Sequence, residues 1–203
     1  AVRSLKWIVQ RRCFEHFRDT EWRGGTRRAS AFRVYQEQQS WWLDDYALFR
    51  ALKARHDERA WTDWPEPLRV RQPEAIAAAR DELADDILYR QYLQWVAGDQ
   101  WGAARDRARG VALFGDMPFM VSGDSADVWA RQDEFRVDAS VGVPPDAFSE
   151  TGQNWGLPAY RWDVFYERDF DWLRDAGVDF VQGNFVESPT TLGSTQSGIY
   201  RAL

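Results

Sequence analysis

The chain has 203 residues, a formal net charge of −6 at pH 7 and a sequence pI near 5.0. An acidic chain lacks the basic face that a nucleic acid or an anionic membrane needs, which argues against both partners. A single cysteine, Cys13, rules out an intramolecular disulfide framework. No apolar run approaches the roughly 20 residues of a membrane-spanning helix, and the N-terminal segment has no signal-peptide pattern, so a cytoplasmic location is expected. Twelve tryptophans are unusual and indicate exposed rings at a binding surface as well as core.

The first half of the chain is predicted to be a helical subdomain spanning 1–109. Apolar residues recur at helical spacing over 30–55. A segment with three prolines, 61–73, then acts as a connector. The segment 74–109 is predicted to form one long helix or two, ended by Gly110. We interpret its apolar stripe as core packing rather than as part of a cofactor site.

The second half has the order of helix, strand and loop that is typical of an α/β unit. The run "VALFGD" at 111–116 predicts a short buried strand, a polar loop follows it, and "VDFVQGNF" is strand-like again. Functional residues of such units lie beyond the carboxyl end of a strand. Asp116, Asp124 and Asp127 fall there, and such carboxylates bind sugar hydroxyls, coordinate a hard cation or cap a helix. Their spacing leaves these roles open, although the full calcium-loop pattern is absent and Ser125 suits helix capping.

The stretch "VGVPPDAFSETGQNWGLPAY", 141–160, is predicted to be a long loop. Its prolines and glycines exclude a helix, and it lacks the clean alternation of a strand. A pyranose ring offers an apolar face to an aromatic ring and hydroxyls to amides and carboxylates, so a sugar-polymer groove requires both kinds of side chain. The alternative is an ordinary loop with its aromatics in the core. The residues with the composition of a sugar site are Asp146, Phe148, Glu150, Gln153, Asn154, Trp155, Tyr160 and Trp162.

Several motifs resemble one known family. "WWLDDYALFRALKARH", "WTDWPEPLR", "LYRQYLQW", "LFGDMPFMVSGDSADVW" and "GVPPDAFSETGQNWGLPAYRWDV" occur in this order. They resemble the amylomaltases, the bacterial 4-α-glucanotransferases of glycoside hydrolase family 77. The resemblance covers about 14–173 and implies a partial (β/α)8 barrel with a helical insertion, an α/β fold. It implies transfer of a glucan segment between α-1,4-glucans by a retaining mechanism, with a maltooligosaccharide as substrate and neither a cofactor nor a metal.

The resemblance also implies which residues contact the substrate. One group lies on and after the first conserved strand, and the other lies on a mobile loop over the glucan. The implied substrate-binding residues are Asp116, Asp124, Asp127, Trp129, Asp146, Phe148, Gln153 and Trp155.

The chain departs from the family pattern near its end. A retaining mechanism needs a carboxylate nucleophile and a carboxylic acid about 5–5.5 Å apart, and the family's nucleophile lies in an R-x-D-H motif that does not occur here. We therefore assign no catalytic residue and expect no transferase activity from the chain alone. The alternatives are a non-catalytic α-glucan-binding module and, with less support, a signalling fragment.

The tail raises the signalling alternative. "AGVDFVQGNFVESP" resembles the closing strand of EAL domains, the cyclic di-GMP phosphodiesterases, but the family's signature and metal-binding acidic residues are absent. The expected organisation is a helical subdomain, a barrel segment with the glucan-binding loop at 110–176, and a divergent tail at 177–203. An incomplete parallel sheet exposes unpaired edges, so we expect a partner chain to cover it unless order is confined to the helices.

Overall fold

The structure is a computed structural model, and the residues that it describes are 2–108, 110–111, 120–147 and 149–171. The chain divides into two compact units, Ala1–Phe119 and Met120–Leu203. The functional domain boundaries expected at 109/110 and 176/177 stay predictions.

Helices make up the described part of the first unit. They are α1 Val2–Phe17, α2 Arg27–Gln38, α3 Ser40–Arg55, α4 Glu66–Arg69, α5 Pro73–Glu82 and α6 Ala84–Arg107. A π-helical turn, Arg18–Trp22, continues α1, and a 3-10 turn, Trp61–Asp63, precedes α4. The apolar spacing over 30–55 thus belongs to α2 and α3. Of the two predictions for 74–109, one long helix or two, the structure shows two helices, α5 and α6. None of the described helices is long and apolar enough to cross a membrane.

Local signals set the helix ends. Thr26 has extended backbone angles, and its Oγ1 accepts a hydrogen bond from the Ala29 N–H at 3.3 Å, which starts α2. Pro73 occupies the first turn of α5, where its missing N–H costs nothing. Helix α6 ends at Arg107, and Gly110 follows with φ +83°, a left-handed conformation that glycine adopts without strain.

An aromatic core joins α1, α2 and α6. The rings of Phe17 and Tyr92 lie 4.9 Å apart between centroids, and those of Phe32 and Trp95 lie 5.2 Å apart. Phe14, Phe17 and Phe32 are almost completely buried. Truncating one such ring to alanine costs about 3–5 kcal/mol in well-packed proteins. The apolar stripe of α6 is therefore core, as its spacing predicts.

An ion-pair seam continues this contact at the start of α6. Arg11 Nη1 donates to Asp86 Oδ1 at 2.8 Å, and Arg18 Nη1 donates to Asp85 Oδ1 at 2.9 Å. Arg11 lies on α1 and Arg18 on the turn that continues it, so the two ion pairs fix the position of α1 along α6. The hydrogen bonds to Asp19 and then to Asp85 raise the pKa of Arg18 above its ordinary value.

The second unit is built around a β-hairpin. Its elements are helix α7 Ala126–Ala130, the 3-10 turn Gln132–Glu134, strand β1 Phe135–Val143, strand β2 Gln153–Tyr160 and helix α8 Trp162–Glu167. The two strands pair antiparallel. Ser125 caps α7, since its Oγ accepts from the Val128 N–H at 3.3 Å. Val128, Trp129, Phe135, Ala159 and Phe165 form the buried part of this unit.

The prediction of a loop over 141–160 is wrong at both ends of the segment. Residues 141–143 finish β1 and 153–160 form β2, so the loop proper is 144–152. Strand β2 shows no alternation of buried and exposed residues, since its first four residues are exposed. Pairing with β1, rather than local pattern, makes it a strand.

The predicted barrel strands lie outside what the structure describes. This holds for 112–116 of the first strand, although Val111 itself is described, and for all of "VDFVQGNF" at 178–185. The sheet that the described residues form is the antiparallel pair β1–β2. The described residues form both helices and a sheet, which agrees with the predicted α/β fold class.

Candidate functional site

Two extra residues interrupt the ladder of β2. Val141 pairs with Leu157, and the next β1 residue, Gly142, pairs with Asn154. Trp155 and Gly156 are left without an opposite residue and form a bulge, which we call the Trp155 bulge. Gly156 has φ +66° there. Bulges bend a strand and redirect a side chain, and they occur often beside active sites.

Close backbone contacts at the other end of the ladder require glycine. A Cβ on Gly142 would lie 1.9 Å from the Gln153 carbonyl oxygen, and one on Gly152 would lie 2.5 Å from the Val143 carbonyl oxygen. Gly152 also has φ +73°. Any larger residue at either position would push the strands apart, so these two glycines close the hairpin immediately before its loop.

The loop 144–152 is braced by its own polar groups. The Ser149 N–H donates to Asp146 Oδ1 at 2.8 Å, and the Asp146 N–H donates to the Ser149 carbonyl at 2.9 Å. Ser149 Oγ donates to the Gly152 carbonyl at 2.8 Å. Together with Pro144 and Pro145, this bonding restricts the loop, so little conformational entropy remains to be lost when a ligand binds.

The Trp155 bulge presents an exposed indole beside two amides. Trp155 is 36% exposed, and its Nε1–H donates to Gln153 Oε1 at 3.0 Å. Asn154 Oδ1 accepts from Ser140 Oγ at 2.5 Å and from the Gly156 N–H at 2.9 Å. The first of these bonds crosses the hairpin and the second lies within the bulge. The bond to Gln153 thus holds the indole within the bulge while the residue stays partly exposed.

Electrostatics single out Asp127 on the first turn of α7. Burial raises the pKa of its carboxyl group, and its own backbone N–H and the Arg131 guanidinium reduce that effect. Burial also raises the pKa of Tyr160 to about 12, and the nearby charge of Asp127 adds to it. Half-buried carboxylates with perturbed pKa values are candidates for functional groups, although structural networks perturb pKa values too.

The predicted site residues fall into four groups. Asp146, Gln153 and Trp155 are exposed on the hairpin, and Asp124 and Asp127 lie beside and within α7. The Trp129 side chain is fully buried, so its ring has no surface for a sugar, and we leave it out of the proposed surface. The two predicted residues outside the described part of the chain are Asp116 and Phe148.

Sequence reasoning overlooked β1 and what it contributes. The run "FRVDASVGV" alternates apolar and small or polar residues at every position, which is the pattern of a strand. That pattern predicts a strand that ends at Val143, directly before the two prolines. Among the described residues, no group of histidine, cysteine, aspartate and glutamate side chains is arranged to hold a metal ion.

Comparisons with known proteins identify the family. The sequence profile of glycoside hydrolase family 77, described as 4-alpha-glucanotransferase, matches residues 1–178. The chain belongs to this family. A 4-alpha-glucanotransferase of Thermus thermophilus is 42% identical over 180 residues, which is 84% of this chain and 35% of that protein. One from Synechocystis is 41% identical over 150 residues, which is 70% of this chain and 30% of that protein.

A solved structure agrees with the family 77 assignment. The amylomaltase from Streptococcus agalactiae, in complex with acarbose, is 32% identical and superposes with a TM-score of 0.73. The match covers 81% of this chain and 34% of that protein. This family 77 chain therefore spans about a third of the length of the curated and solved relatives that it matches.

The first prediction concerns the closed end of the hairpin. Replacing Gly142 with alanine should lower the free energy of unfolding of the second unit by about 1–3 kcal/mol, because the new methyl group clashes with the Gln153 carbonyl. Urea unfolding followed by tryptophan fluorescence measures this. Gly123→Ala is the matched control, since its Cβ would lie at an ordinary 3.7 Å from Pro158 Cδ. Equal stability of the two variants would contradict the described pairing.

The second prediction follows from the raised pKa of Asp127. The folded state holds the Asp127 proton to a higher pH than the unfolded chain, so stability falls as pH rises from the ordinary value of 3.8 through the folded pKa. Asp127→Asn should therefore be more stable than the parent at pH 7 and lose that advantage below about pH 4. Thermal unfolding from pH 3 to 8 tests this, with Asp124→Asn as the exposed control. A gain that does not depend on pH would refute the burial argument.

Proposed function

We propose that this chain forms part of the glucan-binding surface of a 4-α-glucanotransferase that acts on α-1,4-glucans. The observation that carries the proposal is the exposed Trp155 ring, held in the Trp155 bulge by the Gln153 amide. Family membership supports the reaction class. Acarbose, an oligosaccharide analogue bound to the Streptococcus agalactiae amylomaltase, supports the ligand class.

The chemistry of a glucose unit fits this surface. We propose that the apolar face of the pyranose stacks on the exposed part of the Trp155 indole and that the hydroxyl rim meets polar groups at the ring edge. Gln153 uses its amide oxygen to fix the indole, and its amide N–H groups are the donors suited to a hydroxyl. Asp146 fixes the loop through one carboxylate oxygen. We place Asp116, Asp124, Asp127 and Phe148 around the same glucan on the strength of the motif resemblance.

The proposed whole enzyme is a (β/α)8 barrel with a helical insertion, to which this chain contributes the insertion and the hairpin. Retaining transfer needs a nucleophilic carboxylate and an acid on opposite sides of the bond, and it needs no cofactor. The R-x-D-H motif of the resemblance is absent from this sequence. We therefore propose that the chain binds and orients glucan while carboxyl groups from elsewhere in the barrel perform the transfer.

The family comparisons favour part of a transferase over an independent α-glucan-binding module, because the profile matches 1–178 and the relatives are transferases by name. A cytoplasmic location stays a proposal, supported by the N-terminal charge pattern, and the potato relative carries a chloroplastic or amyloplastic designation. A partner chain that covers the incomplete sheet is also a proposal. The tail that resembles EAL domains lies outside the described residues, and a signalling role for it stays a prediction.

The third prediction tests the sugar surface. Titrating the chain with maltoheptaose in a calorimeter should give binding that Trp155→Ala weakens about tenfold or more, since burying one aromatic face is worth about 1.5–3 kcal/mol. Trp101→Ala is the control, because Trp101 is 61% exposed on α6 in the other unit and should not change the affinity. The proposal is wrong if the parent does not bind maltoheptaose, or if both substitutions weaken it equally.

A further inference from the structure

A buried carboxylate lies at the base of the hairpin, where Phe135 pairs with Tyr160. Glu134 is 1% exposed and ends the 3-10 turn before β1. Its Oε1 accepts from Arg131 Nη1 at 3.1 Å and from Arg168 Nη1 at 2.5 Å. Its Oε2 is buried and accepts no hydrogen bond from the described residues. Among the described residues, two arginines compensate this buried charge and both act on one oxygen, so the loss of either is costly.

The backbone of Glu134 extends the ladder toward α8. The Arg161 N–H donates to the Glu134 carbonyl at 2.8 Å, one residue beyond the pair Phe135–Tyr160. The backbone of Glu134 therefore bonds to the residue that follows β2, and its side chain binds Arg168 at the end of α8. Glu134 thus lies at the base of the hairpin.

Arg168 completes the joint from the other side. It is the C-cap residue of α8, and its guanidinium bridges Glu134 and the exposed Asp133. Asp169 and Phe170 follow, both with φ +53°, a conformation that residues other than glycine adopt under strain. The Phe170 N–H donates to the Phe165 carbonyl at 2.9 Å. A strained turn persists where its surroundings hold it, and here the bridge from Arg168 acts together with the packing of the Phe170 ring on Phe165 and Tyr166.

We propose that Glu134 and Arg168 are positioning residues that fix the base of the hairpin and thereby orient the Trp155 bulge toward the glucan. The part of this inference that concerns affinity rests on the proposed function. Neither residue contacts the sugar surface. They act through β2, which runs without interruption from Tyr160 to Leu157, next to the bulge, whereas three residues of β1, 137–139, have no opposite residue.

The test compares two substitutions of Arg168 with one substitution of a control arginine. Arg168→Met should weaken maltoheptaose binding about tenfold, as small misplacements of a remote support do, and Arg168→Lys should lose less because it keeps the charge. Arg136→Met is the control, since Arg136 pairs with the exposed Asp138 on the same strand at 4.0 Å, and it should change the affinity less than about twofold. In a Trp155→Ala background, Arg168→Met should have no further effect on affinity.

Hydrogen exchange without sugar keeps the inference separate from the sugar assignment. Arg168→Met should speed the exchange of the amides at 153–157 while those of α6 are unchanged. If the parent does not bind maltoheptaose but exchange responds in this way, the proposed function fails and the positioning role holds. The positioning role is overturned if Arg168→Met changes neither exchange nor affinity more than Arg136→Met, or if its effect on affinity persists without Trp155. Should Arg168→Met fail to fold, the same criteria apply to Arg168→Lys.

Discussion

The close approach of Gly142 to the Gln153 carbonyl is the constraint on which the second unit depends. The strands can come this near only because position 142 has no Cβ, and the left-handed Gly152 turns the chain at the same place. This contact sets the register of β1 and β2 at the end next to the loop. It closes the hairpin directly before Pro144, and the irregularities of the ladder lie further from the loop, at 137–139 of β1 and at Trp155 and Gly156 of β2.

Three kinds of interaction maintain the resulting surface, each at a different position along the hairpin. Glycine contacts close the outer end of the hairpin, side-chain amides hold the indole and the bulge in the middle, and a buried ion pair with Glu134 fixes the base. The half-buried Asp127 and Tyr160 carry raised pKa values because of their partial burial.

The sequence predicted the parts that depend on local pattern and missed those that depend on pairing. The period of the apolar residues revealed α3 and α6, because a helix buries one face at a spacing of about 3.6 residues. The hairpin was missed since β2 contains Gly156 and Pro158 and shows no alternation, and only contact with β1 makes it extended. Loop composition predicted a sugar surface that includes Gln153 and Trp155, and this stays a prediction, while the structure shows the two side chains bonded to each other. No pattern could have joined Glu134 to Arg168, which are far apart in sequence and meet only after the strands pair.

Amide hydrogen exchange of the intact chain with and without saturating maltoheptaose tests the central claim most directly. If a rigid hairpin presents the Trp155 ring to a glucose unit, the sugar should slow exchange at the amides of 153–157 and leave those of α6 unchanged, because ligand contact suppresses local opening. Protection confined to other segments, or no protection at all at saturating sugar, would contradict the account.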